Sequence, residues 1–383
     1  MRMTNTMLIG NFMHNLNNNM RRVGHLQNQI ASGRKFANIS DDPVALIYAQ
    51  SARNQLAQLS HFHRSAQTGR DWLASVENGA RELQRTLQHT LEEIVNAATD
   101  VKTPSDRQNI AEMIGQLRQH YVDNLNSTFS HNFVFGGHNT PGEPTQEGRT
   151  VGPFRLNEDG HLLFNEFNIS KFDGMPVEFL EVGNEIRGMD DLTAAAHITT
   201  LSIAIGFDFT DPDAPFQAED LVTLHRLRDD VFTLDVGPAI SMPVTMSGID
   251  MVLFRTRDEN HQPLVRCVFS AMSEVYDLTR TGELAVDGTT PVERLSYMLG
   301  PLQHAHDHLL TNIAELGGRY WRLELITARY EQDHVNYTRM KSDAEDVELA
   351  EAIMLWRMAE AVYQSSLAAG ARIIQPTLMD FLR

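Results

Sequence analysis

Residues 59–94 read LSHFHRSAQTGRDWLASVENGARELQRTLQHTLEEI, and apolar side chains return in them every seven residues. One set of positions, in steps of seven, is Leu59, Ala66, Leu73, Ala80, Leu87 and Ile94. The set three residues further on is Phe62, Gly69, Val76, Leu83, Thr90 and Ala97. This heptad pattern is typical of helices that pack along a coiled-coil-like seam. We therefore expect a long helix that Asp42 caps, that Pro43 begins and that runs to about Asp100.

A second heptad run occupies the C-terminal third of the chain. Its main positions are Leu295, Leu302, Leu309, Leu316, Leu323, Tyr330, Tyr337 and Ala344. Two heptad helices of similar length bury their seams most economically against each other. The predicted fold class is therefore mainly α with a β-rich insertion, in which the N- and C-terminal heptad helices pack as a long antiparallel rod.

Another N-terminal helix is indicated by Thr103-Pro104-Ser105-Asp106. Thr103 can cap it, proline suits the first helical position, and Asp106 can reciprocate at the third. We expect its buried stripe to reach Thr128 and the helix to end near Ser130. The aromatic and β-branched run FVFGG at residues 133–137 favours a strand.

The middle of the chain differs in character. Residues 141–261 hold most of the prolines, and alternating runs such as residues 249–254 indicate strands. Residues 218–231 suit a short helix inside this segment, and residues 266–280 suit a helix that lies beside the rod. We expect a compact β-rich insertion.

The two ends of the chain carry apolar stripes that one monomer has little means to bury. Residues 347–382 are apolar on more than one helical face, and such a helix requires cover. We expect the cover to come from partner molecules. The predicted interface residues are Leu8, Phe12, Leu16, Ile353, Trp356, Tyr363, Leu367, Ile374, Leu378 and Phe381.

Composition and charge exclude several classes of function. The 383 residues carry 32 Lys and Arg against 50 Asp and Glu, a formal charge of −18. Such a surface repels phosphate, which argues against nucleic acid and anionic lipid as partners. The single cysteine, Cys267, cannot form a disulfide within the chain, and we expect a buried structural thiol. No apolar run is long enough to insert into a membrane, and we expect no cleaved signal peptide.

The sequence predicts no catalysis, no metal and no cofactor. His304, His306 and His308 alternate along a helix, where neighbours in the set point about 200° apart and cannot share a metal ion. Motifs for nucleophiles, phosphate loops, dinucleotides and zinc proteases are missing from the sequence. A secreted enzyme or adhesin with its activity in residues 141–261 stays an alternative. The histidines of that segment, His161, His197 and His225, are scattered.

Several short motifs resemble the flagellin superfamily and, within it, the proteins of the hook–filament junction. The N-terminal ones are QIASGRK at residues 29–35 and NISDDP at residues 38–43, followed by FVFGG. The C-terminal ones are AELGGR at residues 314–319, DVELAEAI at residues 346–353 and TLMDFL at residues 377–382. The resemblance covers about residues 1–140 and 262–383.

This resemblance implies a structural component of the bacterial flagellum that joins hook to filament and templates flagellin assembly. Residues 1–44 and 341–383 would form the inner layer of a tube, residues 45–140 and 262–340 the helical rod domain, and residues 141–261 the outer domain. Flagellin itself, the filament subunit, stays an alternative.

The resemblance also implies partners and a route. The partners would be neighbouring copies of the chain in an axial ring, the adjacent hook-associated protein, flagellin, and a cytoplasmic export chaperone on the C-terminal helix. The chain would pass from the cytoplasm through the flagellar type III pathway to the extracellular flagellum.

Overall fold

A computed structural model describes residues 5–36, 38, 41–99, 103–137, 143–144, 150–157, 160–186, 189–205, 215–258, 261–281 and 290–373. Its helices are α1 (Asn5–Ser32), α2 (Pro43–Ala97), α3 (Pro104–Leu125), α4 (Val177–Glu181), α5 (Gly183–Ile186), α6 (Asp191–Ile205), α7 (Ala218–Asp229), α8 (Gly248–Val252), α9 (Val268–Thr281), α10 (Pro291–Glu345) and α11 (Leu349–Ile373). Contacts divide the chain into two compact units. The first unit is Met1–His61 with Ala328–Arg383, and the second unit is Phe62–Thr327.

Within the described residues, the strands are short and form five small antiparallel sheets. They are β1 (Thr128–Phe129), β2 (Asn132–Phe133), β3 (Glu143–Pro144), β4 (Thr150–Val151), β5 (Phe154–Leu156), β6 (Leu162–Phe164), β7 (Phe167–Asn168), β8 (Met175–Pro176), β9 (Thr233–Gly237), β10 (Ile240–Pro243), β11 (Leu253–Arg257) and β12 (Pro263–Cys267). The three-stranded sheets have the orders β5-β6-β7 and β11-β12-β8, and the others are two-stranded. The predicted class, mainly α with small sheets in a central insertion, is confirmed.

Both predicted N-terminal caps are present. Asp42 Oδ1 accepts the backbone N–H groups of Val44 and Ala45, at 3.1 and 2.9 Å. Thr103 and Asp106 form the reciprocal capping box, in which each side chain accepts the other residue's backbone N–H. These bonds satisfy amide groups that a helix leaves unpaired at its start, and they fix where α2 and α3 begin.

The heptad seam of α2 forms the core of the second unit together with α10. Its buried positions in this unit are Ala66, Gly69, Leu73, Val76, Ala80, Leu83, Leu87, Thr90, Ile94 and Ala97. A Cβ on Gly69 would lie 3.3 Å from Leu323 Cδ1, and Gln84 Nε2 lies 2.8 Å from His306 Nε2. The numbering rises on α2 as it falls on α10. The two helices are therefore antiparallel here, as predicted.

The chain after α3 departs from the prediction. The helix ends at Leu125 rather than near Ser130, because β1 and β2 form a tight hairpin. Ser130 and His131 both have positive φ angles, 49° and 70°, as two-residue hairpin turns require. Thr128 is exposed in β1 instead of lying on a buried helical stripe. Of the predicted strand at residues 133–137, only Phe133 lies in β2, and the Val134 N–H donates a further hydrogen bond of 2.9 Å to Ser127 O.

The insertion contains helices as well as sheets. Of these helices α7 was predicted, as was α9, which follows the insertion, and their ends differ from the prediction by two residues or fewer. The strand predicted at residues 249–254 is wrong for its first four residues, which belong to α8. Ser247 caps this helix, and its Oγ accepts the Ile249 N–H at 3.3 Å. Ile249, Met251 and Val252 are all buried in one helical turn, so their burial does not alternate as a half-buried strand requires.

Candidate functional site

The first unit brings the two ends of the described chain together. α1 packs along α11, and Asn19 Nδ2 donates a hydrogen bond of 3.0 Å to Ser366 Oγ. Leu26 on α1 and Ala352 and Ala359 on α11 are buried. A helix from the start of the chain thus covers one face of a helix from its end within a single molecule, which the sequence analysis did not anticipate.

Backbone hydrogen bonds between residues 33–35 and residues 345–347, here called the clasp, hold this helix pair together where α1 ends and α11 begins. Arg34, just after α1, forms an antiparallel bridge with Asp346, which follows α10. The Lys35 N–H donates to Glu345 O at 2.7 Å, and the Val347 N–H donates to Gly33 O at 3.0 Å. Together with the Asn19–Ser366 bond, the clasp shows that α1 and α11 run antiparallel.

An ion pair joins α2 to α10 next to the clasp. Arg53 Nε lies 2.6 Å from Glu345 Oε1, without the alignment of a hydrogen bond. Glu345 is only 1% exposed, whereas Arg53 keeps more than a third of its side chain in water. A carboxylate taken out of water in this way depends on its partner. Within the first unit, the end of α10 therefore contacts both α2 and the segment that follows α1.

The predicted interface residues divide into three groups. Phe12, Leu16, Trp356 and Tyr363 are half-buried. Ile353 and Leu367 are 39% and 44% exposed. The Leu8 side chain and residues Ile374, Leu378 and Phe381 lie outside the described residues. On α11 the half-buried members share a face with Ala352 and Ala359, because residues four apart on a helix are neighbours.

The most exposed apolar side chains of α11 are ones that the prediction left out of the interface. Met354, Met358 and Val362, here called the Met354 flank, are 56%, 54% and 53% exposed. Their spacing of four residues places them in one row, well away from the face buried by α1. Methionine is flexible and adapts to differently shaped partners, which suits a binding surface. Only the position of α1 reveals which side of α11 stays open.

Three histidines of α10 contact other parts of the second unit, and the single cysteine is buried there. His304 pairs with Thr256 Oγ1 at 2.9 Å, His306 with Gln84, and His308 with the Asp250 carbonyl oxygen at 3.0 Å. The described part of the chain holds no group of three or more His, Cys, Asp or Glu arranged to bind a metal ion. Cys267 is buried, and this burial raises the pKa of its thiol to about 11. It is therefore protonated and unreactive at neutral pH.

A cleft of about 510 Å³ beside α7 is lined largely by charged groups. Arg228 Nε contacts Asp250 Oδ1 at 2.6 Å, and Arg255 contacts Glu181 at 2.8 Å. Both arginines of the cleft thus contact a carboxylate, and Asp229 adds a third acidic residue to the lining. None of the described helices combines the length and the apolar character needed to cross a membrane. The open surface of the paired terminal helices is thus the candidate functional site.

Comparison with known proteins bears on this site. Residues 4–140 match the family model of the bacterial flagellin N-terminal helical region. Flagellar hook-associated protein 3 of Escherichia coli (strain K12) is 25% identical over 155 residues, which are 40% of this chain and 49% of that protein. A flagellin of Clostridium tyrobutyricum is 23% identical over 126 residues, or 33% of each chain. The chain thus spans about half the length or less of these curated relatives.

Solved structures agree on the fold. A flagellar hook-associated protein from Vibrio parahaemolyticus superposes with a TM-score of 0.52 over 80% of this chain and 100% of that one, at 12% identity. At this identity the likeness concerns the fold alone. The resemblance to the flagellin superfamily is confirmed over residues 4–140.

Proposed function

We propose that this protein is a structural component of the bacterial flagellum that joins the hook to the filament and templates flagellin assembly. The observation that carries the proposal is the antiparallel pairing of α1 with α11, which leaves the Met354 flank exposed. Such a surface suits neighbouring molecules rather than a small substrate. The name of the Escherichia coli relative supports a hook-associated role over a filament role.

The proposed assembly assigns a place to each part of the chain. Residues 1–44 and 341–383 would form the inner layer of an axial ring, residues 45–140 and 262–340 a surrounding helical layer, and residues 141–261 the outward domain. The partners would be neighbouring copies, the adjacent hook-associated protein and flagellin. The protein would act outside the cell, at the flagellum, and without catalysis.

The alternative is that the chain is flagellin itself, which polymerises along the whole filament. Immunogold electron microscopy of flagella separates the two, with an antibody against residues 141–261. The proposal predicts label at one point between hook and filament. Label along the filament would identify a flagellin, and in that case the purified chain should also form long filaments at high salt.

Before export, the exposed apolar flank needs cover. We propose that a cytoplasmic chaperone of the flagellar type III pathway binds α11 with this flank in a groove. Calorimetry with that chaperone tests the proposal on the full chain and on a chain truncated after Asp343. A matched pair of variants is Met358→Asp, which we expect to lose binding, and Gln364→Asp, which should keep it although it is also exposed on α11. Unchanged affinity after truncation would place the chaperone elsewhere.

A further inference from the structure

Helix α10 has a second apolar face, on a different side of the helix from the centre of its buried seam. It consists of Leu310, Ala314, Gly317, Gly318, Trp321 and Leu325, here called the Trp321 face. Trp321 is 61% exposed, Leu325 50% and Leu310 44%. At about 100° per residue, these positions lie within one side of the helix. They are not heptad positions of the seam, which buries Leu309 and Leu316 on a different side and adjoins the face at Ile313.

The two glycines are the unusual part of this face. Glycine weakens a helix interior because it gains the most freedom when the helix unfolds. Gly317 and Gly318 have ordinary helical backbones, and open space surrounds the position that a Cβ would take at either, as far as the described residues go. No close approach within the chain therefore explains them. Gly79 differs, because there a Cβ would meet the ring of Phe135 at 2.9 Å.

Trp321 stands directly beside this gap. A helical side chain leans toward the N-terminus and lies over the turn before its own Cα, which here is the turn of Gly317 and Gly318. The face is thus a shallow notch without side chains, with an exposed indole at its edge. Small residues let a second helix approach closely, and tryptophan is among the strongest contributors to binding at protein interfaces.

The start of α2 has the complementary shape. Val44, Ile47 and Tyr48 project from one helical turn and are 63%, 69% and 64% exposed. Large side chains protrude from this turn, whereas the notch at Gly317 and Gly318 has no side chains.

We infer that the Trp321 face of one copy receives the Val44–Ile47–Tyr48 turn of a second copy. The inference rests on the proposed flagellar assembly and names one of its contacts. Because the two surfaces differ, the contact is head-to-tail, and such contacts build rings or helical arrays rather than closed pairs.

Cysteine cross-linking tests the contact. Ser51→Cys replaces an exposed residue beside the α2 turn and Ala314→Cys an exposed residue of the Trp321 face, and the buried Cys267 thiol does not compete. In the source bacterium, the only gene copy for this chain carries both changes, one change or neither. Flagella are isolated from each strain and then oxidised. The inference predicts a ladder of linked copies with the double variant and none with either single variant.

The other outcomes are separable. If the double variant is present in flagella but does not cross-link, the contact is refuted and the proposed function stands. Dimers from Ala314→Cys alone would mean that two Trp321 faces meet, which also refutes it. If the unaltered chain is missing from isolated flagella, the proposed function fails and the inference fails with it.

Replacing the two glycines gives a second test, in which the Tm of the isolated chain and incorporation into flagella should change in opposite directions. Gly317→Ala with Gly318→Ala should raise the Tm of the isolated chain, because alanine favours the helix. The same change fills the notch and should lower incorporation into flagella at least tenfold. Thr338→Ala is the control, since Thr338 is an exposed residue of α10 outside the face, where alanine also favours the helix. It should raise the Tm without loss of incorporation. Equal incorporation of all three chains would overturn the inference.

Discussion

The ring of Phe12 lies so close to Gly370 that no Cβ fits between α1 and α11 at that point. Gly370 is buried, and it lies near the last described residue, whereas Phe12 lies near the first. A residue without a side chain thus lets the two ends of the chain pack as one helix pair. This pair presents the open surface on which the proposed assembly depends.

Gly370→Ala should therefore weaken the α1–α11 pair, although alanine is the better helix former. We expect a loss of about 1–3 kcal/mol from overpacking. Hydrogen exchange of α1 and α11 amides measures it. Phe12→Leu in the same chain should recover part of the loss. Gly24→Ala is the control, because that glycine of α1 has open space around it and should gain about 0.5–1 kcal/mol. Equal protection in both alanine variants would refute the close contact.

Arg53→Met should destabilise the first unit, because it leaves the Glu345 carboxylate buried without its charged partner. Arg53 is partly exposed, so we expect a loss of about 1–3 kcal/mol rather than that of a fully buried pair. Denaturant unfolding measures the change. Arg329→Met removes a surface ion pair with Asp333 and should change the free energy of unfolding by less than about 0.5 kcal/mol. Similar effects of the two variants would contradict the role of Arg53.

Leu316→Ala should cost about 2–5 kcal/mol, because Leu316 is fully buried on the heptad seam of α10. Leu310→Ala lies on the same helix, on the exposed Trp321 face, and should leave the Tm of the isolated chain nearly unchanged. Thermal unfolding of the two variants decides the matter. A larger loss at Leu310 would mean that the buried seam has been assigned to the wrong face.

The second unit should lose stability as the pH falls from about 7 to 5.5. Burial lowers the pKa of both His225 and His308 below the usual 6.5. The unfolded chain then binds protons in a range where the folded chain does not, which favours unfolding. His308→Gln should reduce this slope, because it removes one of the two buried imidazoles. Unfolding titrations at several pH values supply the measurement. A flat profile would exclude buried neutral histidines.

Local signals in the sequence predicted the helical frame well. Asp42 and Thr103 mark helix starts because a cap is made by residues next to it in the chain. The heptads at Leu73 and Leu316 predict burial because the position of a residue in the heptad determines which face of the helix it lies on. By contrast, residues 249–252 are apolar in a row, and such a run does not distinguish a buried strand from a buried helical turn. The hairpin at Ser130 depends on two positive φ angles for which the sequence offers no glycine.

The candidate site was only partly predictable for a related reason. Apolar composition indicated that α11 needs a partner, but not which faces stay open. The face is set by α1, more than 300 residues away along the chain, through contacts such as Asn19 with Ser366. Met354 and Met358 were therefore absent from the predicted interface, although they are more exposed than Ile353.

Electron microscopy of flagella from a strain that lacks this chain tests the proposed role most directly. The full-length chain and the chain truncated after Asp343 are then returned to that strain. We expect hooks without filaments in the deletion strain, filaments restored by the full chain, and none restored by the truncated chain. Normal filaments in the deletion strain, or with the truncated chain, would contradict the account.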